Sequence, residues 1–518
     1  MTDRRRTPWI IFWSEAGKRG FKVWAWSTNR VGKVTAADVG IVKDEATAKA
    51  WAEAVASVKD GMEIRNNPAR IWDPRLEVLG LERMKAIVMH TNKHRGLRWA
   101  DDPTFAVWEL SNEEWWMRKM LAGSWKKLPA FFQEQLEQRW SAWVRKKYGE
   151  EGKLKASWGG VLAEESWERG RFRLAPMGKN DPKAALNDAN EAARQAVAGT
   201  GQGATEESLA DARASDVLEF LLELQLAHKK RSVEAFKSWG RSTRLSPVLY
   251  DTGIGYETHS QYMHQQAEAV SHDAYVNGWG IAQVKEAEDE KLPEHLRKRE
   301  ELSRERRVMN AGPWINWLLL PPGISQGVPW LEHNKVEGKP FLVYETQIQQ
   351  PAKYRVDFPL RLAALAAIQD WDWINWHYFA TPDDVGRNER AFDKPMDVTT
   401  GSHPQGYHYT YDEVQTAMMR AAGFMFRQKA FAPAARPTQF IYGRKSLYSP
   451  ESMVFHGSYG TRGHDMLPTT YQYGVRIKID AEREEDEVIG PVVRFEDRWK
   501  QNPYQATEEI EFDWKKGF

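Results

Sequence analysis

The sequence predicts a parallel α/β chain: a (β/α)8 TIM-type barrel over residues 1–430, followed by a β-rich domain over residues 431–518. Three observations carry this expectation. Six short apolar runs alternate with helical patterns through the first part of the chain. The runs stop on polar or charged residues at Asn29, Asn112-Glu113, Asp251, Tyr275, Glu345 and His377, and strand ends at the carboxyl rim are where a barrel carries its chemistry. From about Ala430 the text changes to short β-rich pieces with Gly and Pro turns, PTQFIYGRKSLY, TTYQYGVRIKID and IGPVVRF. A doubly wound sheet also places ligands at strand ends, so closure into a barrel is not fixed by this pattern alone.

The elements follow in chain order. Ile10 to Arg19 reads as helical with Gly20 as its stop, and Phe21 to Trp26 (FKVWAW) as a short strand ending at Ser27-Thr28-Asn29. Asp44 to Lys59 is a helix, and Leu79 to Asn92 another, with Leu81, Met84, Ile87 and Val88 on one face. Phe105 to Leu110 reads as a buried parallel strand. Lys183 to Ser215 lacks large apolar residues and reads as a surface insertion, partly helical. Val217 to Trp239 is a long amphipathic helix; Pro247 to Tyr250, Ala269 to Val276 and Pro340 to Glu345 are strands. A helix over Pro359 to Gln369, a strand over Trp371 to Phe379 and a helix over Tyr411 to Gln428 complete the series.

Length and composition bound the function. A chain of 518 residues holds two to four domains or one large barrel with appendages. Lys plus Arg number 73 against 72 Asp plus Glu, a net charge of +1 that supplies no field for a polyanion, so nucleic acid is not an expected partner. Cysteine is absent, which removes thiolate nucleophiles and thiolate metal sites. Mean hydropathy is −0.66 and no 18-residue apolar run occurs, so no membrane partner is expected. The start, MTDRRRTPWIIFW, turns charged again at Glu15, Lys18 and Arg19, too soon for a signal-peptide core. There is no GxGxxG, P-loop or HExxH, and no cofactor or metal is expected. The excess is aromatic: 25 Trp, 17 Tyr and 20 Phe. Such rings either fill a large core or offer stacking platforms for flat apolar ligand faces, such as the C–H faces of sugars.

Glu113 and Glu345 lie 345 − 113 = 232 residues apart, yet each ends an apolar run, and the strand ends of one barrel converge on one rim. Two carboxyls facing each other across one sugar bond are what a glycosidase needs, one as nucleophile and one as acid/base. Either Glu alone is more simply a helix cap or salt-bridge partner; it is the pair that points to chemistry. Other candidates read as structural. His259, His264 and His272 have spacings of five and eight that do not put two ligands on one helical face. Asp101-Asp102 before Pro103 makes a turn, Asp372 pairs with a buried base, and Arg297 to Arg307 alternates with Glu as a solvated helix face does.

On FAVWELSNEEWW, where Asn112-Glu113 matches the strand-four acid/base motif, and KPFLVYETQI, where Glu345 matches the strand-seven nucleophile, the chain resembles the clan A glycoside hydrolases, most closely the family 5-like cellulase or mannanase-type barrels. The segment RIWDPRLEVLGLERMKAIVMHTNKHRGLRWADDP looks like the helix and loop before strand four, and the likeness covers roughly residues 10 to 380. It implies a retaining hydrolase of β-glycosidic bonds with a polysaccharide or oligosaccharide substrate. Glu113 would be acid/base, Glu345 nucleophile and Asn112 a ligand of the sugar 2-hydroxyl. Tyr275 of HDAYV would touch the nucleophile, and Trp376 of INWHYF would be the sugar platform, with Trp373 its rival. Trp115, Trp26 and His377 complete the expected substrate contacts. One departure is that Phe21 to Trp26, taken as strand three, leaves no room for strands one and two, so the barrel is short at its N-terminus and the supporting strand-two Arg has no candidate. The second function class is therefore a non-catalytic carbohydrate-binding or scaffold protein on a degenerate barrel.

Overall fold

The computed structural model describes residues 9–15, 18–28, 34–42, 68–121, 123–162, 164–174, 206–249, 258–276, 331, 334–348, 357–376, 413–449, 466–494, 497, 500, 501 and 503–511. The expected helix over Asp44 to Lys59, the basic run Arg297 to Arg307, residues 183–205 of the insertion, and Asn29, Asp251 and His377 lie outside them. The chain divides into two compact units. One comprises Met1–Leu110, Glu114–Val248 and Tyr448–Pro450; the other comprises Ser111–Glu113, Leu249–Leu447 and Glu451–Phe518.

The first unit opens with an antiparallel sheet of β1 (Trp9–Glu15), β2 (Lys18–Thr28) and β3 (Val34–Val42), in that order. This corrects two expectations. Ile10 to Glu15 and Lys18 to Arg19 are strand, not helix, because the β-branched and aromatic run WIIFW finds a partner: Trp9 lies opposite Trp24 and Trp13 opposite Gly20, so Gly20 sits inside β2. Phe21 to Trp26 is strand as expected, but in antiparallel register, with a bulge between Lys22 and Trp24.

The helix α1 (Pro74–Val88) starts earlier than its apolar period because Asp73 caps it, accepting from the amides of Arg75 at 3.0 Å and Leu76 at 2.8 Å, with Pro74 in the first turn. The expected strand over Phe105 to Leu110 shrinks to β4 (Trp108–Glu109), whose Trp108 amide donates to the Pro247 carbonyl at 2.9 Å. Side chains hold the rest of that run: the Phe105 and Trp108 rings stack at 4.4 Å, and the Ser246 hydroxyl donates to the Phe105 carbonyl at 2.6 Å. Next come α2 (Trp116–Leu121), α3 (Ala130–Tyr148), α4 (Glu151–Trp158), α5 (Glu206–Lys237), α6 (Arg241–Leu245) and β5 (Val248–Leu249). Part of the tryptophan content is core. Trp72, Trp116, Trp125, Trp140 and Trp158 are buried, and Trp140 stacks on both Trp143 and Trp158 and meets Phe220 edge-on.

The second unit contains α7 (Thr258–Gln265), β6 (Val270–Val276), β7 (Phe341–Ile348), α8 (Asp357–Gln369) and β8 (Trp373–Trp376). The three strands form a parallel sheet in the order β6-β7-β8, with α8 making the crossover between the last two. Phe341, Val343, Phe358, Leu362, Leu365 and Ala366 are buried in its core. After α9 (Glu413–Arg427), the segment expected to be β-rich is mixed: β9 (Thr438–Tyr442), α10 (Arg444–Leu447), α11 (Met466–Tyr473), β10 (Val475–Ile479) and β11 (Glu487–Ile489). There β10 runs parallel and β11 antiparallel to β9. Two side-chain amides, one half-buried and one buried, tie β10 to helix ends. Gln265 of α7 bonds both the N–H and the C=O of Ile479 at 2.7 Å, and Gln369 of α8 accepts from the Val475 amide at 2.9 Å. Among the described residues no sheet closes on itself, and no helix is long and apolar enough to cross a membrane.

Candidate functional site

The carboxyl end of β7 positions the site. Phe341 to Val343 are buried apolar residues that fix the strand between its two neighbours. Beyond them the register slips on both sides. Along β6, His272 lies opposite Val343 but Asp273 lies opposite Glu345; along β8, Ile374 lies opposite Val343 but Trp376 lies opposite Thr346. In each comparison β7 carries one residue more than its partner, the signature of a bulge, which bends a strand and re-aims a side chain. The re-aimed residue is Glu345, half-buried at the bulge.

Glu113 reaches the same place from the loop after β4. The carboxylate oxygens of Glu113, Asp273 and Glu345 lie within 4.8 Å of one another; Glu113 is exposed and Asp273 buried. Glu113 has φ of 45° and Trp115 φ of 49°, both in the left-handed region that non-glycine residues avoid. Between them Glu114 is buried, ion-paired to Arg70 and, at 2.5 Å, to Lys229. Three carboxylates this close can do one of two things chemically. They can share protons, since like charges oppose simultaneous ionisation, or they can offer three oxygen ligands to a hard divalent cation.

The expected site residues fall as follows. Glu113 and Glu345 are brought together, and Asn112 is the half-buried neighbour of Glu113. Tyr275 lies on β6 opposite Gln347. Trp376 ends β8 half-buried, edge-on to Phe358 with centroids 6.1 Å apart, whereas Trp373 is 40 % exposed. Trp115 is half-buried in the loop, and Trp26 lies on β2 opposite Ala36, in the first unit. Asp273 is the member that sequence reasoning missed. It stands two residues before Tyr275 on β6, and that proximity in HDAY was the available signal.

The structural readings can be located too. His264 and His272 are buried with Nδ1 and Nε2 3.4 Å apart, and His272 also packs on Phe341. Asp102 accepts from the Thr104 amide at 2.9 Å and Asp101 from the Arg241 amide at 3.0 Å, which fixes the turn. Asp372 pairs with buried Lys335 at 3.2 Å and accepts from the Phe341 amide at 2.8 Å, so it registers the amino end of β7. Burial lowers the Lys335 ammonium below its ordinary range against the opposing pull of Asp372. The two residues border a cavity of about 690 Å³ that also draws in Arg436 and Arg476, at the strand ends opposite Glu345.

Comparison of the chain with family models, with curated proteins and with solved structures finds no match.

Proposed function

We propose that this protein is a retaining glycoside hydrolase that cleaves β-glycosidic bonds of a polysaccharide or oligosaccharide, on a barrel that contributes β6, β7 and β8 as consecutive strands. The observation that carries this reading is the approach of Glu113 to Glu345, across 232 residues of sequence, with carboxylate oxygens within 4.8 Å. Retaining enzymes hold their two carboxyl groups about 5 to 5.5 Å apart, whereas inverting ones leave room for a water at about 6.5 to 9.5 Å. Exposure also favours the roles: Glu113 is open to solvent where an acid/base exchanges protons, and Glu345 is half-buried where a nucleophile meets the anomeric carbon.

In the first step the Glu345 carboxylate attacks the anomeric carbon as Glu113 gives its proton to the departing oxygen. In the second Glu113 takes a proton from water, which displaces Glu345 with net retention. Asn112 would hold the 2-hydroxyl and Trp376 would underlie the sugar.

The test is the pair of alanine variants on aryl glycosides. Glu345→Ala is expected to lose activity on every substrate, with azide filling the gap to give an inverted glycosyl azide. Glu113→Ala is expected to keep its first step on dinitrophenyl glycosides, to release a retained glycosyl azide, and to lose the basic limb of the pH profile. Wild-type rates in both variants would overturn the assignment. Activity that a chelator abolishes would make the three carboxylates metal ligands instead, and a wild type inert on a broad glycoside panel would favour the scaffold reading.

A further inference from the structure

We infer that the cavity at the amino ends of β7 and β8 is a binding site for a small organic carboxylate, held by the guanidinium groups of Arg476 and Arg436. Its volume, about 690 Å³, is that of sites which enclose small molecules. It lies where two pairs of parallel strands begin. Pro340 precedes β7 and Asp372 precedes β8, while Pro437 precedes β9 and Arg476 is the second residue of β10. Glu345 stands toward the other end of β7, so this site owes nothing to the glycosidase reading. The wall over residues 433–437 is fixed in place. The Ala434 amide donates to the Ile368 carbonyl at 3.0 Å, and the wall packs so closely on Gly474, φ 73°, that a Cβ there would lie 2.7 Å from the Cβ of Ala434.

The cations of the cavity differ in what they already hold. The buried Lys335 ammonium donates to the Lys339 carbonyl at 2.9 Å and to Asp372 at 3.2 Å, and Lys339 donates to the Ala267 carbonyl at 2.9 Å. Arg476 is half-buried, yet only its Nη1 is engaged, by the Gln369 side-chain oxygen at 3.3 Å and the Val475 carbonyl at 2.9 Å. Among the described residues its Nε and Nη2 have no acceptor and the guanidinium has no ion pair. Burial lowers it from its ordinary range, and the charges of Glu337 and Asp370 oppose that only from beyond ion-pair reach. Arg436, exposed on the wall, also has neither hydrogen bond nor ion pair among the described residues. A guanidinium drawn out of water without a partner carries a desolvation cost that an acceptor would recover, and its planar fork of donors matches a carboxylate. Charge selects among oxyanions. Four cationic and three anionic side chains line the cavity, an excess of one positive charge, which a monocarboxylate neutralises and a phosphate dianion exceeds. Pro340, Pro433, Ala434 and Pro437 supply rigid apolar surface for the body of such a molecule.

The experiment is a ligand-observed NMR titration of the full chain with benzoate, beside benzamide as its uncharged isostere. Benzoate is expected to occupy one site with a Kd on the order of 1 mM, and benzamide to bind at least about tenfold more weakly, since it offers no charged acceptor. Arg476→Gln should weaken benzoate about tenfold or more, and Arg436→Gln about threefold. Lys478→Gln, which removes an exposed cation of β10 outside the cavity, should leave it unchanged. If Arg476→Gln fails to fold, Arg436→Gln decides alone, because it gives up no bond within the described protein. Equal binding of benzoate and benzamide, absence of saturable binding, or an affinity untouched by the arginine variants would overturn the inference. Inorganic phosphate displacing benzoate with the tighter Kd of the two would overturn the choice of carboxylate. Binding is read without turnover, so failure of the glycosidase assignment and failure of this site are separate results.

Discussion

Two sets of carboxylates in this protein sit in opposite surroundings. Asp216 of the first unit is buried and accepts from the Lys147 ammonium at 2.6 Å, the Tyr148 hydroxyl at 2.6 Å and the Trp158 indole at 2.7 Å. Glu165, also buried, takes both arms of Arg213, at 2.5 and 3.2 Å, and the amides of Leu162 and Arg173. Burial, with Asp216 beside it, pushes the Tyr148 phenol above its ordinary range and keeps it a donor. In the second unit carboxylate oxygens of Glu113, Asp273 and Glu345 lie within 4.8 Å of one another. A carboxylate saturated by donors is committed to holding the fold. One within 4.8 Å of two other carboxylates can in addition share a proton with them or contribute to a cation site. Asp216 lies on α5 and Glu165 in a loop, whereas Glu345 lies on β7; what separates the two sets is the nearness of further carboxylates.

The sharpest way to break that contrast is to exchange its outcomes. Glu345→Ala should cost at least about 10⁴-fold in turnover with no change in melting, whereas Asp216→Ala should cost about 3–5 kcal/mol of stability, read by denaturant titration, with turnover per folded molecule kept. A stability loss in the first or an activity-only loss in the second would dissolve the distinction. The aromatic counterpart comes next. Trp140→Ala removes a fully buried ring from the stacked core and should cost about 3–5 kcal/mol, while Trp376→Ala should raise KM about tenfold and still melt cooperatively, worth about 1.4 kcal/mol.

A smaller effect follows from pH. Burial pulls His228 down to about 4, against the opposing hydrogen bond at 3.0 Å from its Nδ1 to Glu77, so the imidazole is neutral in the folded protein near pH 7. The unfolded chain takes up the proton below its ordinary pKa of about 6.5. Stability should therefore be complete above that pH and fall by on the order of 2–3 kcal/mol as pH drops from about 6.5 toward 4. Glu77, lowered against its own burial by His228 and Arg231, adds a further loss at more acid pH. Denaturant titrations across this window should show the slope in wild type and not in His228→Gln; a slope kept by the variant would assign it to other groups. Smallest of all, Lys155→Ala breaks an exposed i,i+4 pair with Glu151 and should change stability by about 0.5 kcal/mol or less.

Legibility varied with how local the cause was. Strands β6 and β7 and the crossover α8 could be read because each apolar run or period is bounded by its own polar or turn residues. The ends moved outward where tertiary contacts added to them: β7 runs past Glu345 through Thr346, which is fully buried, to Ile348. The run WIIFW fits a helix or a strand equally well when read alone, and only pairing with β2 decides it. Phe105 to Leu110 is apolar in composition along most of its length, yet only Trp108–Glu109 pairs as a strand, and ring stacking and the Ser246 hydroxyl hold the start of the run.

The sequence by itself determined which residues were worth bringing together. Asn112-Glu113 and Glu345 each close an apolar segment, and a chain without cysteine must do any nucleophilic or acid/base work with oxygen and nitrogen groups. Tertiary structure alone decided that Asp273 joins them. A one-residue bulge in β7, invisible in the spacing of either strand, sets Asp273 opposite Glu345 rather than opposite Tyr344. Side-chain facing in a sheet has period two, so a slip of one residue exchanges which groups meet, and register is a property of paired strands that neither strand carries alone.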